Sequence, residues 1–360
     1  MTNPNEGAVP MVGPFTPRYC AEPRSGAHVV AMIGSAQHPR RLMRPSHPLH
    51  RALVISAWAL AAATLAGFLG AHWWVFDLLA NLRAQLALGL VGSAVALVLF
   101  RRWKLSVVML VGAAINLALV LPQVAGSPDP VLVASEAPTL DVTFFNAKIR
   151  ADQRAVATYL KQRDDDLIVL AATNRYWVRA MMASDLELEV ISGAHLSPGL
   201  EILILARDPD ARALVHRATY ANRDVLVEVV TEFDGQPLHV IGTHPVSPMT
   251  PQRAQRRDLL LETLGLWADR RDAPLMVLGD LNATPWSAPF SAMLEDTGLI
   301  DSQQAHGIQP SWPAWAGPFG IPIDHVLHSD DLVTLERELG PSFGSDHRMV
   351  HARLARRPAT

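Results

Sequence analysis

The chain has 360 residues, of which 49% are hydrophobic and 18% are charged, and its net charge is −3 at pH 7. Charged residues are scarcer than the roughly 25% of an average soluble protein, and the mean hydropathy is +0.16. These values exclude a wholly disordered chain and a polybasic nucleic-acid coat protein, and they indicate a segment that lies in lipid. The single cysteine, Cys20, excludes a disulfide framework and a cysteine-based zinc site.

The N-terminal segment, residues 1–48, is rich in Pro, Gly, Ser and Arg and shows no sustained apolar period. This composition predicts a disordered cytoplasmic tail. Met1, Met32 and Met43 are alternative starts, and the sequence leaves the choice between them open. No A-x-A cleavage site follows the first apolar run, so a cleaved signal peptide is not expected.

Three uncharged, apolar runs follow the tail. They span 52–71, 84–100 and 105–121. Each meets the lower limit of about 17 residues for a spanning helix, and the first reaches the usual length of about 20. Trp73, Trp74 and Trp103 lie at the boundaries, as in the aromatic belt of a membrane protein. We therefore predict three transmembrane helices within residues 49–122, and we interpret Asn116 as a helix–helix hydrogen bond. Buried helices of a soluble core are the alternative.

The basic residues predict the orientation of these helices. They precede the first helix and fill the link between the second and the third, whereas the first link holds only Arg83. The two groups are Arg40, Arg41, Arg44 and Arg51, and then Arg101, Arg102 and Lys104. The positive-inside rule places the N-terminus in the cytoplasm, and three spans place the remainder outside. The prediction is a multi-pass protein of the cytoplasmic (inner) membrane with an extracytoplasmic C-terminal domain.

Residues 123–138 are predicted to be a Pro/Ser linker, and residues 139–356 a domain large enough for one substantial core. In this domain, strand patterns alternate with helix patterns. Strands are predicted at 140–145, 166–170, 186–191, 202–206, 225–233, 238–242, 275–279, 323–328 and 347–354, and helices at 153–162, 251–270 and 288–297. Asp234-Gly235 predicts a hairpin turn. Mostly antiparallel strands with interspersed helices favour an α+β layered sandwich.

Polar residues collect where these strands begin or end. They stand in N, G-T-H-P, G-D-L-N, I-D-H and S-D-H, in that order along the chain. The candidates are Asn146, His244, Asp280, Asn282, Asp324, Asp346 and His347. Carboxylates bind Mg²⁺ or orient a water, an imidazole polarises or protonates a phosphoryl oxygen, and amides hold phosphate without adding charge. Each motif alone is an ordinary turn or cap, but the ordered set is specific and points to phosphate-ester hydrolysis.

This ordered set resembles the endonuclease/exonuclease/phosphatase family of metal-dependent phosphoesterases. The resemblance is strongest in G-D-L-N-A-T-P-W-S at 279–287, I-P-I-D-H-V-L at 321–327 and G-S-D-H-R at 344–348. Three membrane helices before such a domain also resemble a bacterial, membrane-anchored subgroup. The resemblance implies a four-layered α/β (α+β) sandwich of two mixed β-sheets flanked by helices. It also implies Mg²⁺ or Mn²⁺ as the cofactor.

The resemblance further implies a catalytic role for five residues. His244 and Asn282 would contact the phosphoryl group, and Asp280 would orient or deprotonate the attacking water. Asp324 would hydrogen-bond His347 and fix its tautomer. His347 would bind the phosphate and stabilise the transition state of in-line attack.

The metal side of this site departs from the family pattern. The family's second strand ends in Gln-Glu, and that Glu is a metal ligand, whereas Ala171 and Ala172 stand there in this chain. The resemblance leaves Asp346 as the metal ligand and Asn146 near the phosphate, so a weakened metal site is expected. Lys148 is a second departure. We predict that its ammonium pairs with a carboxylate or with substrate phosphate; the alternative is a side chain in solvent.

Two functions therefore remain open. One is a membrane-anchored phosphoesterase that acts outside the cytoplasmic membrane, and the other is a catalytically impaired member that binds a phosphate ligand. The substrate would be a lipid head group or a nucleic acid at the bilayer, and the absence of a long basic run argues against extended duplex DNA. Residues 310–315, P-S-W-P-A-W, form a substrate-facing aromatic loop or a packed loop. Arg253, Arg256 and Arg257 are interpreted as a solvated helix face.

Overall fold

The computed structural model describes residues 48–125, 137–148, 150–193, 200–217, 225–268 and 273–357. The predicted N-terminal tail and most of the predicted linker lie outside these residues.

The N-terminal part of the described chain is a helical bundle. Its helices are α1 (Pro48–Ala66), α2 (Trp74–Ala80), α3 (Arg83–Leu99) and α4 (Trp103–Val120). Two stretches, Pro48–Leu69 and Trp103–Gln123, are long and apolar enough to cross a membrane. The second predicted span differs from the expectation, because the short α2 precedes α3 and meets it at an angle of 65°. Two spans are therefore supported by length and composition, and the third stays a prediction.

A polar cluster joins three helices inside the bundle. The Nδ2 of Asn116 donates to Oγ1 of Thr64 at 2.9 Å, which confirms the predicted helix–helix hydrogen bond. The guanidinium of Arg83 donates to the carbonyl of Thr64 at 2.8 Å and to Oδ1 of Asn116 at 3.2 Å. Arg83 thus begins α3 as a buried residue rather than lying exposed in the link.

The remainder of the described residues forms two six-stranded sheets. The strands are β1 (Thr139–Asn146), β2 (Leu167–Ala171), β3 (Glu189–Ser192), β4 (Leu203–Ala206), β5 (Arg212–Arg217), β6 (Val225–Phe233), β7 (Gln236–Thr243), β8 (Leu275–Asp280), β9 (Ile300–Asp301), β10 (Asp324–His328), β11 (Leu332–Leu339) and β12 (Val350–Arg356). One sheet has the order β11-β12-β1-β2-β4-β3, and the other β5-β6-β7-β8-β10-β9. The pairs β1–β2 and β7–β8 are parallel and the others are antiparallel.

Four further helices cover the outer faces of the sheets. They are α5 (Gln153–Lys161), α6 (Arg175–Met182), α7 (Pro251–Ala268) and α8 (Ala288–Thr297). The inner faces of the sheets share one apolar core, which includes Phe144, Val169 and Leu278. A second core lies under α5 and α6 around Trp177, and a third under α7 and α8 around Phe290. This arrangement confirms the predicted sandwich of two mixed sheets flanked by helices.

Some elements were not predicted from the sequence. The strands β5, β9 and β11 and the helix α6 carry weaker patterns than the others. The edge strand β11 includes Glu336, Arg337 and Glu338, which interrupt its alternation. The eight-residue helix α6 is fixed by a local cap, because Oδ1 of Asn174 accepts from the N–H of Tyr176 at 2.9 Å.

The sandwich rests on one end of the helical bundle. Near the start of α3, Nε2 of Gln85 donates to the carbonyl of Gly320 at 2.7 Å. After α4, the carbonyl of Gln123 accepts from the N–H of Gly307 at 2.8 Å. On α2, the carboxylate of Asp77 forms an ion pair with Arg257 of α7 at 2.8 Å. The contacts therefore lie on α2, near the start of α3 and just after α4.

Candidate active site

The site lies at one edge of the sandwich, where strands of both sheets deliver polar residues. Asn146 is the last residue of β1, and Asp280 is the last residue of β8. His244 follows β7, which runs parallel to β8. Asp324 opens β10 directly opposite Asp280 in the antiparallel β8–β10 pair. The ends of parallel strands meet at one sheet edge, which explains how residues far apart in sequence come together.

Glycine at 279 makes this edge compact. A Cβ on Gly279 would lie 2.5 Å from the carbonyl oxygen of Thr243, closer than non-bonded atoms approach. A side chain would therefore force β7 and β8 apart at the point where they deliver His244 and Asp280. This close approach accounts for the first letter of the G-D-L-N motif.

Asp280 lies at the centre of the cleft. The Nδ2 of Asn146 donates to Oδ2 of Asp280 at 2.8 Å. The Nε2 atoms of His244 and His347 lie 3.5 and 3.6 Å from that same oxygen. The backbone N–H of Asn282 donates to Oδ1 of Asp280 at 3.0 Å. One carboxylate thus gathers four of the residues that the sequence singled out.

His347 is held by a second buried carboxylate. Its Nδ1 lies 2.9 Å from Oδ2 of Asp324, within the distance that the sequence-based hypothesis requires. An ionised carboxylate only accepts hydrogen bonds, so Nδ1 carries the proton and Nε2 faces Asp280. The ring of His347 is therefore fixed in orientation as well as in place.

Burial and neighbouring charges shift the pKa values of Asp280 and His347. Burial raises the pKa of Asp280, and the neighbouring Asp324 carboxylate raises it further. Burial alone would lower the pKa of His347, but the carboxylates of Asp324 and Asp280 outweigh it and raise that pKa to about 9. With this pKa, His347 is an imidazolium held between two buried carboxyl groups at neutral pH.

Asp346 and Lys148 form the outer part of the cleft. The Lys148 ammonium forms an ion pair with Oδ2 of Asp346. The indole Nε1 of Trp312 donates to the same oxygen at 3.2 Å. Hydrogen bonds from Lys148 and Trp312 lower the pKa of Asp346, although burial opposes them. The predicted pairing of Lys148 with a carboxylate is present.

The backbone brings Lys148 to Asp346 in an unexpected way. Continued strand alternation would place residues 146 and 148 on one face. Instead β1 ends at Asn146, and Lys148 lies in a turn with φ of +44°. Its N–H donates to Oδ1 of Asn146 at 3.1 Å, which closes the turn. The turn, rather than strand alternation, directs the ammonium into the cleft.

Ala172 stands beside the end of β1, at the position where the resemblance places a metal-binding Glu. Ala171 pairs with Asn146 in the parallel β1–β2 register, and Ala172 follows it as a half-buried residue. Its φ is +53°, and that of Asn282 is +51°. With Lys148, three non-glycine residues at the cleft have left-handed backbone, a conformation that concentrates at functional sites.

We tested these residues as a metal site through their donor atoms. Ligand atoms of Asp280, Asp324 and His347 lie within 4.8 Å of one another. Those groups already bond to each other, whereas Oδ1 of Asp346 is buried and has no hydrogen-bond partner among the described residues. The Nε2 of His347 lies 3.9 Å from this oxygen, beyond hydrogen-bond distance. A buried carboxylate oxygen that accepts no hydrogen bond suits a hard cation. The donor set fits a divalent ion with few protein ligands.

The sequence profile of the Endonuclease/Exonuclease/phosphatase family matches residues 144–347. The chain belongs to this family. No protein of curated function matches the chain.

Several solved structures are similar to this chain at low sequence identity. A functionally unknown conserved protein from Enterococcus faecalis V583 has 15% identity and a TM-score of 0.50, covering 61% of this chain and 100% of that one. An endonuclease/exonuclease/phosphatase from Bacteroides vulgatus has 15% identity and a TM-score of 0.49, covering 61% and 99%. Sphingomyelinase C from Streptomyces griseocarneus has 19% identity and a TM-score of 0.44, covering 60% and 99%. At these identities the likeness concerns the fold.

The sequence does not settle the role of Trp312, and the interpretation of Arg257 from the sequence is wrong. Trp312 was left between two interpretations, and its indole contacts Asp346. Arg257 was assigned to a solvated helix face, which is wrong, because its side chain is 1% exposed and pairs with Asp77 at 2.8 Å. Arg257 also donates to the carbonyl of Asn282 at 2.8 Å. The only sequence signal for Arg257 was a charge within the apolar stripe of α7.

Proposed function

We propose that this chain is a membrane-anchored phosphoesterase that hydrolyses phosphate esters outside the cytoplasmic membrane. The observation that carries the proposal is the cleft centred on Asp280, where His347 is oriented by Asp324 beside an amide from Asn146. Phosphate-ester hydrolysis needs a general base, an oriented imidazole and an amide donor, and the cleft offers a candidate for each.

Asp280 is the proposed base. Its raised pKa favours taking a proton from water, and the N–H of Asn282 and the Nδ2 of Asn146 hold its two oxygens in place. A fixed carboxylate orients the water for in-line attack on phosphorus. His244, 3.5 Å away, is placed to contact the phosphoryl group on the same side.

His347 is the proposed stabiliser of the transition state. With a pKa of about 9 it carries a positive charge at neutral pH, and Asp324 fixes its ring. A positioned cation offsets the charge that develops on the phosphoryl oxygens without reorganising during the reaction. The Nδ2 of Asn146 already donates to Asp280, and that of Asn282 donates to the carbonyl of Pro245 at 3.0 Å. The second N–H of each amide would be the donor to the phosphate.

A divalent ion, Mg²⁺ or Mn²⁺, would be held by Asp346 and would neutralise charge on the phosphate. The Oδ1 of Asp346, which accepts no hydrogen bond from the described residues, supports this assignment. Ala172 provides no carboxylate, so we expect weak binding. The Lys148 ammonium would contact the phosphate and would offset part of the missing positive charge.

A second candidate is a phosphate-binding protein with impaired catalysis. The ion pair between Lys148 and Asp346 favours it, because an ammonium already satisfies one oxygen of the remaining metal ligand. The cleft would then bind a phosphate ester between Lys148 and His347 without hydrolysing it.

The membrane orientation is part of the proposal. The basic residues Arg101, Arg102 and Lys104 between α3 and α4 favour a cytoplasmic link. In this orientation α1, α3 and α4 all span the membrane, with α3 as the second span. A C-terminal alkaline phosphatase fusion should be active, and a C-terminal green fluorescent protein fusion should be dark. The reverse pattern would place the cleft in the cytoplasm.

The decisive experiment uses the purified full chain in detergent. A panel of phosphomonoesters and phosphodiesters is incubated with Mg²⁺, with Mn²⁺ and with a chelator. Metal-stimulated turnover that Asp280→Asn removes supports the enzyme. Binding of the same esters without turnover under every condition supports the second candidate instead.

A further inference from the structure

An aromatic loop connects the cleft to the membrane helices. We define it as residues 312–320. At its start, Trp312 donates to Oδ2 of Asp346, and the N–H of Ala314 donates to the backbone carbonyl of Asp346 at 2.7 Å. At its end, the carbonyls of Phe319 and Gly320 accept from Nε2 of Gln85 at 3.1 and 2.7 Å. One short loop therefore reaches from the cleft to a membrane helix.

Gln85 sets the depth of this loop. It is the third residue of α3, so it lies within about 5 Å of the start of that helix at a rise of about 1.5 Å per residue. The 17 residues of α3 extend about 25 Å, slightly less than the roughly 30 Å of bilayer hydrocarbon. If α3 spans the bilayer, as the proposed function assumes, Phe319 and Gly320 lie at the level of the lipid head groups.

The loop presents apolar side chains at this level. Trp315 is 85% exposed and Phe319 is 67% exposed. Large aromatic side chains with so few protein contacts are costly in water but favourable at a membrane interface. The bilayer is thus the partner whose chemistry fits this surface.

We infer that the substrate is a phospholipid of the outer leaflet, whose head-group phosphate enters the cleft beside the aromatic loop. This inference rests on the proposed function and names its substrate class. In the reaction, the water oxygen bonds to phosphorus and the P–O bond to the leaving alcohol breaks. Water loses one proton and the leaving alkoxide gains one. Nucleic-acid bases also stack on exposed aromatic side chains, so a single-stranded oligonucleotide is the competing substrate in the test. The contact of the loop with the start of α3, at the level of the head groups, favours the lipid.

The test compares three substrates with the full chain. They are nanodisc phosphatidylethanolamine and phosphatidylglycerol, soluble bis(4-nitrophenyl) phosphate, and a single-stranded oligonucleotide. The double variant Trp315→Ser/Phe319→Ser should lose at least tenfold more activity on the bilayer lipids than on the soluble ester. The matched control is Met182→Ser/Leu214→Ser, which removes exposed apolar side chains from other surfaces. Equal losses on both substrates, or a preference for the oligonucleotide, would overturn the inference.

A second readout separates this inference from the proposed function. Brominated lipids should quench tryptophan fluorescence in the wild type more than in Trp315→Phe. Hydrolysis without this difference overturns the membrane contact, whereas the difference without hydrolysis of any ester overturns the phosphoesterase and with it the lipid substrate.

A second inference rests on a different set of contacts, which join α2 to the loop that follows β8. The Oδ2 of Asp77 pairs with Arg257 at 2.8 Å, and its Oδ1 accepts from Oγ of Ser287 at 2.8 Å and from the N–H of Ala288 at 3.1 Å. The Oδ1 of Asn81 accepts from the N–H of Thr284 at 2.8 Å. These contacts hold residues 279–287, which we call the GDLN loop.

Arg257 continues this network to the cleft. Its guanidinium joins Asp77 to the carbonyl of Asn282, and both charged side chains are 1 to 2% exposed. Asn282 in turn donates its N–H to Asp280. We propose that Asp77 and Arg257 are positioning residues, through which the helical segment fixes the backbone that orients Asp280.

The test separates positioning from simple stability. Asp77→Asn should lower kcat on the soluble ester about tenfold with little change in KM. The double variant Asp77→Leu/Arg257→Met removes the buried pair, and such replacements often restore stability. It should recover the melting temperature but not kcat, because Asn282 has lost its partner. Recovery of both would reduce the pair to a structural role and overturn the proposal.

Hydrogen exchange provides a readout that needs no activity. Asp77→Asn should speed amide exchange within residues 281–288, and Arg257→Lys, which keeps the charge, should do the same to a smaller extent. Unchanged exchange in both variants would overturn the positioning role even if no ester is hydrolysed.

Discussion

The two halves of the cleft differ in how completely their polar atoms are satisfied. In the inner half, Asp280, Asp324 and His347 are buried and bonded to one another. In the outer half, the side chain of Lys148 is 56% exposed, and Oδ1 of Asp346 accepts no hydrogen bond from the described residues. The inner half thus holds the proposed base and the oriented imidazole, while the outer half holds an ammonium beside the proposed metal ligand.

This difference assigns the proposed chemistry to the inner half and the compensation of negative charge to the outer half. A buried network of fixed groups is costly to disturb, because each unpaired member loses its compensation. An exposed ion pair is worth little and exchanges partners readily. We therefore expect substitutions in the inner half to abolish turnover and those in the outer half to tune ligand and metal binding.

The largest effect is expected at the inner half. His347→Asn removes the cation next to Asp280 and should lower kcat/KM by about 10²- to 10⁴-fold, the usual contribution of a positioned acid–base group. The measurement is hydrolysis of a soluble phosphodiester by the full chain. His306→Asn, the same change outside the cleft, is the control. A loss below tenfold with an unchanged fold would contradict the assignment.

A smaller effect is expected for the ammonium of the outer half. Lys148→Ala should weaken binding of inorganic phosphate about tenfold in the presence of a chelator, which corresponds to about 1.4 kcal/mol. Calorimetric titration measures this difference. Lys161→Ala is a matched control, because that lysine is equally exposed and pairs with Asp185. Unaltered phosphate binding in Lys148→Ala would mean that its ammonium serves only Asp346.

A smaller loss of kcat/KM is expected when Trp312 is replaced by Phe. Trp312→Phe removes the N–H donor to Asp346 while keeping an aromatic ring, and hydrogen bonds to charged groups contribute about 1.5–3 kcal/mol before solvent exposure reduces them. We expect kcat/KM to fall about three- to tenfold. Trp177→Phe controls for loss of an indole elsewhere, since Nε1 of Trp177 has no partner among the described residues. Equal activity losses in both variants would point to a general packing effect.

The smallest predicted effect concerns acid stability rather than activity. Burial, and secondarily the charge of Arg163, lowers the pKa of His351 to about 3. The unfolded chain binds this proton below about pH 6.5 and the folded chain does not, so stability falls as pH drops from about 6.5 to 3, by up to about 1.4 kcal/mol per unit. His351→Gln should reduce the difference in melting temperature between pH 7.5 and 4.5. An equal difference in both proteins would contradict this origin.

The sequence predicts the sandwich well because its signals are local. Apolar runs such as 167–170 and turn residues such as Asp234-Gly235 mark strands without knowledge of the partner strand. The order of polar motifs predicts the inner half of the cleft as well, since each motif stands at a strand end.

The sequence does not indicate which side chains that are far apart along the chain contact each other. Arg257 and Asp77 are separated by 180 residues, and nothing in the sequence indicates that the two form a pair. The helix α2 likewise depends on its contact with the GDLN loop and carries no pattern that separates it from the following apolar run. Lys148 reaches Asp346 through a left-handed turn that the strand pattern did not indicate.

The Mg²⁺ dependence of hydrolysis tests the central claim most directly, because that claim assigns chemistry to the inner half and an altered cation site to the outer half. The full-length wild type and Ala172→Glu are titrated with Mg²⁺ against one soluble phosphodiester. We predict weak, metal-stimulated turnover in the wild type and a half-saturating Mg²⁺ concentration about 10- to 100-fold lower in the variant, the usual scale for a ligand-shell change. Full wild-type activity in a chelator, or a variant identical to the wild type in both metal binding and hydrolysis, would contradict the account.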